Sequence, residues 1–500
     1  MKAFILTGVL TLLGVKFGFT QTTNEIVIDQ QSTNSAITVT QTGENLYAGV
    51  TQGGLIDGEL GDNNTAIIQQ LGSVNTTEIL QRGNNNESEI SINAYSSHTT
   101  ILQEGFNNLA KSSSRGNYLI NSTISQIGNF NTSNIITYGE NEMIASIQQQ
   151  GYNNLASINV SSEIWGFSDA HQIQIGNNNS ISLFQNDIIT GYSLQHQESY
   201  TDLGNVAIGV MQGRRVKLEQ FQKGDGNYVE SNQHGWGGIV FSAYASQVQT
   251  GNDNSAIAFQ FGEDIKTIQT QEGNSNKIQA YQDIEQGASK IVQSQIGVGN
   301  GMNVIQTNLF GSKVSQNQQG NLNSAIADQG TTRYSESLNL NQEQIGDSNI
   351  SYAKQDGYYS AFEQKQLGDN NRINSLQSGD SHTSKIYQVG VKNTIETEQE
   401  DYSNMLRSKQ EGGGHLITVT QGGNYNFVEQ IQFGNDNQIS SLQFGEDNNL
   451  LMNQVGGNNR INAEQGGQWN VVQALQRGNG LHTEVVQAGF FSTITIQQSN

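Results

Sequence analysis

Apolar and polar positions alternate along this chain in a pattern that resets every eleven residues. The clean copies read Gln-x-Gly-x-x-Asn-x-aliphatic-x-x-x, then Gln again. Examples are Gln249-Thr-Gly251-Asn-Asp-Asn254-Ser-Ala256-Ile-Ala-Phe-Gln260, Gln174-Ile-Gly176-Asn-Asn-Asn179-Ser-Ile181-Ser-Leu-Phe-Gln185 and Gln432-Phe-Gly434-Asn-Asp-Asn437-Gln-Ile439-Ser-Ser-Leu-Gln443. Counted from the first Gln, the Asn at +5, the aliphatic at +7, the residue at +9 and the Gln at +11 share one parity. On an extended chain equal parity means one face. The +7 positions hold Ile373, Ile395, Ile417, Val428, Ile439, Leu450, Ile461, Val472 and Ile494, whereas +8 positions hold Glu363, Lys385, Glu396, Arg407, Glu429 and Glu484. One face is therefore aliphatic plus amide, and the other is solvated. The glycine at +2, flanked by Asn and Asp, predicts the turn. Each eleven-residue unit predicts one strand and one turn. Two units make a 22-residue coil, so the expected fold is an all-β solenoid of stacked coils with two facing parallel sheets around a thin interior. No segment has sustained 3.6-residue periodicity with caps, so helices are not expected.

The period is most regular toward the end of the chain, where fifteen glutamines stand eleven apart from Gln344 to Gln498. Repetition held that long marks units that stack on their neighbours. Upstream, Gln70 and Gln81 keep the step, with Glu59 in the Gln position before them. Gln103 follows at a step of 22, then Gln126 and Gln149 at steps of 23, and the run Gln249, Gln260, Gln271, Gln282 restores the period. The segments around 186–221, 234–248 and 330–343 break it and are expected to bulge or loop out of the stack. The expected organisation is a secretory leader at 1–20, a short segment at 21–29, interrupted repeats at 30–343 and regular repeats at 344–500.

Composition sharpens this picture. Hydrophobic residues make up 34% and the formal net charge is −22, which by themselves would suit a disordered chain. The apolar periodicity argues otherwise, as does the absence of proline from 500 residues. Proline cannot donate to a sheet ladder, and disordered chains are normally rich in it. The 56 glycines are the complement, serving many tight turns. There is no cysteine, so no disulfide framework is available. The acidic balance disfavours a nucleic-acid partner and suits a chain that must stay apart from its copies before assembly. Met1-Lys2, an apolar stretch from Ala3 to Phe19 and small residues at Gly18 and Thr20 read as an export signal.

An amide on an inward face has to be hydrogen-bonded. A column of identical amides solves this, each donating to one neighbour and accepting from the other, as in cross-β ladders. The ladder is expected to comprise Gln249, Gln260, Gln271, Gln344, Gln366, Gln410, Gln421, Gln432, Gln443, Gln454, Gln465, Gln476 and Gln487, with Asn254, Asn371, Asn426, Asn437, Asn448 and Asn459. The turn glycines would include Gly251, Gly262, Gly434, Gly445 and Gly456. Ile494, Ile496 and Gln498 lie on a periodic strand edge with no charge or proline to blunt it. Such an edge is a template for another copy, so end-to-end polymerisation is expected. His382 and His415 stand at the Asn position and read as ladder substitutions. No metal-ligand spacing recurs among the seven histidines, and no nucleophile elbow or phosphate loop is present. No cofactor, metal or catalytic residue is therefore expected. The turn acids Asp253, Asp436 and Asp447 read as solvated, and with Asp401 in a turn-glycine position they could slow premature assembly. Phe261, Phe433 and Phe444, each following a repeat Gln, are expected to pack at the coil corner.

The phased Gln-x-Gly-x-x-Asn-x-Ala-x-x-x-Gln series, closest at 249–260, resembles the curlin repeat of bacterial curli subunits, over about Gln30 to Gln498. The resemblance implies a secreted functional amyloid that builds extracellular fibres for biofilm matrix and adhesion. It also implies export through a dedicated outer-membrane pore, with a nucleator subunit and chaperones as partners. The alternative is a monomeric β-solenoid adhesin whose flank binds a carbohydrate or other surface. Outward Thr-x-Thr would support that, and it is sporadic, as at Thr38-Val-Thr40 and Thr418-Val-Thr420. A polysaccharide-cleaving β-helix would need clustered Asp, Glu or Arg at one level of the stack, and none is evident.

Overall fold

A computed structural model describes residues 23–54, 61–140, 142–161, 166–186, 189–235, 242–284, 287–330 and 335–500. The expected leader at 1–20 and Glu59 lie outside these. The chain divides into two units, Met1–Asp253 and Asn254–Asn500. Each is a parallel β-solenoid, and among the described residues there is no helix.

In the second unit the strand Phe427–Asn435 lies between Met405–Gly413 and Asn449–Gly457, with Gln432 opposite Gln410 and Gln454. The strand that precedes it, Leu416–Gln421, lies between Thr394–Tyr402 and Gln438–Gln443. Each strand thus bonds not to its chain neighbour but to the strand one 22-residue coil away, and the two ladders face each other. The first unit follows the same rule, with Met143–Tyr152 held between Leu109–Asn129 and Phe167–Asn177. Parallel pairing of equivalent positions is what a repeated face requires, because a one-residue slip would turn every Ile and Gln outward.

The inward +7 residues form the core. Ile373, Ile395, Leu406, Ile417, Val428 and Ile461 are fully buried in one continuous aliphatic cluster of the second unit. In the first unit the cluster is built at +9 instead, where Ile68, Ile90, Ile101, Ile124 and Ile147 are fully buried. Each such side chain contributes about 1.5–3 kcal/mol of burial. The +8 side chains stay on the outer face, where Lys385 pairs loosely with Glu363 at 3.8 Å and Arg407 lies over the Phe427 ring.

Turns are made by two left-handed residues, the glycine at +2 and the residue at +4. In one turn these are Gly434 at φ 110° and Asp436 at φ 54°. A Cβ on Gly434 would lie 2.0 Å from the Gly456 carbonyl oxygen one coil on, so at this turn the coils close to ladder distance over glycine. Glycine is not universal in the role: Ile92 and Ala94 stand where Gln and Gly are expected, and the 20-residue strand Glu87–Phe106 takes the corner by a register shift between Ala94 and Ser96.

The expectation that the three irregular segments bulge or loop out of the stack does not hold for their described strands, while residues 187–188, 236–241 and 331–334 lie outside the described residues. Thr190–Glu198 pairs with Phe167–Asn177 and Val216–Lys223, and Val206–Gln212 pairs with Ser180–Asn186 and Tyr228–His234. Ala243–Thr250 pairs with Val216–Lys223, and Asn339–Ile345 pairs with Lys313–Gln319 and Ala361–Leu367. The described extra residues, such as 199–205, fall between strands. A ladder depends on parity within the strand, whereas lengthening a turn costs only a slowly growing closure entropy.

Candidate functional site

The repeated amides form columns inside each unit. In the second unit one column runs Gln271, Gln295, Gln318, Gln344, Gln366, Gln388, Gln410, Gln432, Gln454, Gln476, Gln498. Each Nε2 donates to the next Oε1 at 2.6–3.1 Å. The facing strands carry a second: Gln260, Gln282, Gln306, Gln329, Gln355, Gln377, Gln399, Gln421, Gln443, Gln465, Gln487, at 2.7–3.2 Å. The amides also cross the interior. Gln432 Nε2 reaches the Leu416 carbonyl at 3.2 Å, and Gln421 Nε2 that of Met405 at 3.3 Å, in the opposite ladder. Glutamines that make both kinds of bond, such as Gln432 and Gln421, join successive coils and the two sheets at once. In the first unit, Gln52, Gln81, Gln103, Gln126, Gln149, Gln174, Gln197, Gln222 and Gln249 make the corresponding column.

In the second unit two sets of glutamines escaped the sequence reading. Gln295, Gln306, Gln318 and Gln329 carry the columns through the region where the spacing is irregular, between Gln282 and Gln344. A third column, Gln269, Gln293, Gln316, Gln342 and Gln364, occupies the +9 position with bonds of 2.7–3.0 Å. Its signal was present as Gln-x-Gln at 269–271, 293–295, 316–318, 342–344 and 364–366, two like amides on one face. Beyond Gln364 the column ends, and Ile386 takes its rung.

The asparagines do something different from the expected amide-to-amide ladder. Asn437 Nδ2 donates to the carbonyls of Phe433 at 3.0 Å and of the turn glycine Gly456 at 2.9 Å. Its Oδ1 accepts the Asn459 backbone N–H at 3.0 Å. Asn426 and Asn448 bind Gly445 and Gly467 in the same way, Asn254 and Asn371 bind Gly273 and Gly390, and Asn459 binds Gly478. The side chain is a clasp for the arc, satisfying backbone groups that the curving chain takes out of the ladder. In several coils Nδ2 also lies within 3.1–3.2 Å of the preceding Oδ1, as between Asn276 and Asn254 and between Asn131 and Asn108. The shorter contacts to glycine carbonyls are the main ones.

His382 and His415 take this position with equivalent atoms. Nδ1 of His382 accepts the Asn404 N–H at 3.2 Å and Nε2 meets the Ser378 carbonyl at 3.3 Å. In His415, Nδ1 accepts the Asn437 N–H at 3.2 Å and Nε2 meets the Glu411 carbonyl at 3.1 Å. These partners call for the neutral ring with its proton on Nε2. Burial pushes both pKa values below the ordinary histidine value. Among the described residues, no group of three or more His, Cys, Asp or Glu side chains is placed to hold a metal ion.

The remaining named residues are at the edges and corners. Gly251, Gly262, Gly445 and Gly456 have φ between 105° and 121°. Asp253, Asp436 and Asp447 sit at the left-handed +4 position, and Asp401 takes a turn-glycine place at φ 72°. Phe261 and Phe433 are half-buried on the outer face, the latter beneath the Lys409 ammonium, while Phe444 is exposed. The Phe444 ring nevertheless lies over Gly422, in the turn one coil earlier. Ile494 and Ile496 pack partly against the core, and Gln498 accepts the Gln476 amide and donates to the His482 carbonyl.

No curated protein matches this chain. Residues 61–91 match the family model of the curlin associated repeat. That stretch holds Gln70, Gly72, Asn75, Gln81, Gly83 and Asn86, in which Gln81 donates to Gln103 at 2.9 Å and Asn86 clasps the Gly105 carbonyl at 2.9 Å. The matched geometry is the one that recurs through both units: the chain carries the curlin associated repeat on a parallel β-solenoid.

Proposed function

We propose that this chain is the structural subunit of an extracellular curli-like fibre, assembled by end-to-end addition of copies. One observation carries the reading. The strand Thr493–Ser499 pairs on one side with Val471–Asn479 and, among the described residues, has no strand paired along its other edge. On it Ile494, Ile496 and Gln498 are half-buried, whereas their counterparts Val472, Ala474 and Gln476 are buried. One strand earlier, Gln487 Nε2 is a buried donor with no acceptor. A further coil of the same register would cover the isoleucines, meet that donor and continue both ladders. In the first unit Glu25–Gln30 pairs with Tyr47–Gly53 and exposes Ile26 and Val27, a receiving edge for such a coil. The curlin repeat and the solenoid fold suit a structural rather than a catalytic role, and the family suggests a bacterial surface location. A nucleator, an outer-membrane pore and chaperones are the partners this reading calls for.

The test is assembly of the purified full chain, followed by dye binding and fibre diffraction. Fibres with a meridional spacing of about 4.7–4.8 Å are expected. Fragments of those fibres should shorten the lag of fresh protein, and Ile494→Lys with Ile496→Lys should lengthen it. A chain that stays monomeric for days at high concentration overturns the proposal and favours the monomeric adhesin.

A further inference from the structure

In the second unit the two arcs of the coil differ in chemistry. The left-handed +4 position recurs every 22 residues on each arc. From Ser348 onward one arc fills it with Ser348, Asn370, Lys392, Gly414, Asp436, Asn458 and Gly480, small or polar residues that tolerate positive φ plus one lysine, with Leu322 before them on the same arc. On the other, Tyr359, Tyr425, Trp469 and Phe491 hold it at φ 52–56°, with Ser381, Ser403 and Asp447 between them. A bulky aromatic is unfavourable there. These rings gain little from burial in return, since the four are 45–74% exposed. Tyr402 and Phe490, one residue earlier in their turns, are exposed as well.

The rings are ordered. Trp469 and Phe491 stack at 4.6 Å with 12° between planes, and Tyr402 meets Tyr425 edge-on at 5.4 Å. The backbone beneath them is pinned, because Tyr402, Asn424, Glu446 and Gln468 are joined rung to rung by parallel bridges. Acceptors stand among the rings: Glu446, bound by the Gln468 amide at 3.0 Å, with Asp447 and Asp380. No Lys or Arg occupies any of these turn positions.

We infer that this arc is a stacking platform for a neutral, extended polysaccharide lying along the coil axis. Aromatic faces take the apolar face of a pyranose, and carboxylates and amides take its hydroxyls. Coils follow one another at about 4.7–4.9 Å, close to the advance of one sugar in an extended β-linked glycan. The sign of the edge selects among occupants. Its carboxylates, with no Lys or Arg in the same turns, disfavour nucleic acid, anionic lipid and acidic polysaccharide, and they disfavour the same edge of a second copy. The platform is complete within one chain, so it stands independently of fibre formation.

The test is co-sedimentation of the freshly purified full chain with microcrystalline cellulose, repeated on assembled material, with cellohexaose as competitor. The double variant Tyr425→Ser with Trp469→Asn puts at each site a residue type already found at positive φ in this unit, so folding should be kept, as backbone hydrogen exchange would report. Wild type should be retained and displaced by cellohexaose, and the double variant should lose at least tenfold in bound fraction. The pair Val391→Ser with Val455→Ser, which removes exposed apolar side chains from the opposite arc, should bind as wild type does. Failure of wild type to bind cellulose overturns the inference, as does equal retention of the double variant or equal binding to soluble alginate. Loss of fibre bundling in the double variant with no change in cellulose binding would overturn it in favour of contact between copies.

Discussion

Replacing Gln443 by alanine should open the stack locally, by an amount that follows from its bonds. Gln443 Nε2 donates to Gln465 Oε1 at 2.8 Å and to the Phe427 carbonyl at 3.3 Å, and its Oε1 accepts Gln421 Nε2 at 3.0 Å. On truncation the Gln421 amide keeps the Met405 and Asn426 carbonyls, both at 3.3 Å. Gln465 Oε1, fully buried, loses the donor that serves it. An orphaned buried acceptor costs about 1–3 kcal/mol, and a lost methylene with its cavity adds about 1–2 kcal/mol. The sum is roughly 2–5 kcal/mol. Gln443→Met refills the space while orphaning the same acceptor, so it should cost about 1–3 kcal/mol. Glu429→Ala, on the solvated face, should stay within about 0.5 kcal/mol. A repeat protein of this length does not unfold in one step, so a global midpoint would blur the effect. Native-state hydrogen exchange of the strands Leu416–Gln421, Gln438–Gln443 and Arg460–Gln468 reads it locally. At about 1.4 kcal/mol per tenfold, the alanine variant should exchange about 30-fold to several thousand-fold faster there, with distant coils unchanged. If both the alanine and methionine variants exchange within about threefold of wild type, the glutamine columns do not hold the coils together.

Gly434→Ala should disrupt its arc and sharply reduce soluble, assembly-competent protein, because its Cβ would lie 2.0 Å from a backbone oxygen, whereas Gly466→Ala, with nothing within 4 Å of the new carbon, should behave as wild type in thermal melts. Acidification should weaken the arcs that hold His382 and His415. Their folded pKa values lie below the unfolded value of about 6.5, so the unfolded state binds more protons between the two, and stability present above about pH 6.5 falls as pH drops toward the folded values. Protonation also turns Nδ1 into a donor facing the Asn404 or Asn437 N–H. Protection factors in these two arcs, corrected for the slower intrinsic exchange at low pH, should fall from pH 7.5 to 5.5, and His382→Asn with His415→Asn should flatten that dependence while keeping the clasps. Gln269→Met should loosen the third column near Gln293, seen as faster exchange at Ser289–Val298 and not around Gln432.

How much of this was legible follows from which properties are local. Whether Ile439 or Glu429 faces the interior is set by counting twos from the nearest Gln, because side-chain parity on an extended strand does not depend on what the strand pairs with. The eleven-residue period, the turn glycines and the exclusion of proline are of the same kind. Together they determined an all-β coil with aliphatic residues and amides inside. Partners are not local. That Gln295 bonds to Gln318, 23 residues on, and Gln318 to Gln344, 26 residues on, was decided by coil-to-coil pairing, which tolerates turns of any length that return the strand in register. The same pairing turned the asparagines from a ladder into clasps on the turn-glycine carbonyls, since only the curvature of the arc shows which backbone groups need a partner. It also gave His382 its tautomer, and it set Trp469 against Phe491 on an exposed edge. The sequence by itself determined what each residue faces, and the tertiary structure decided what each residue touches.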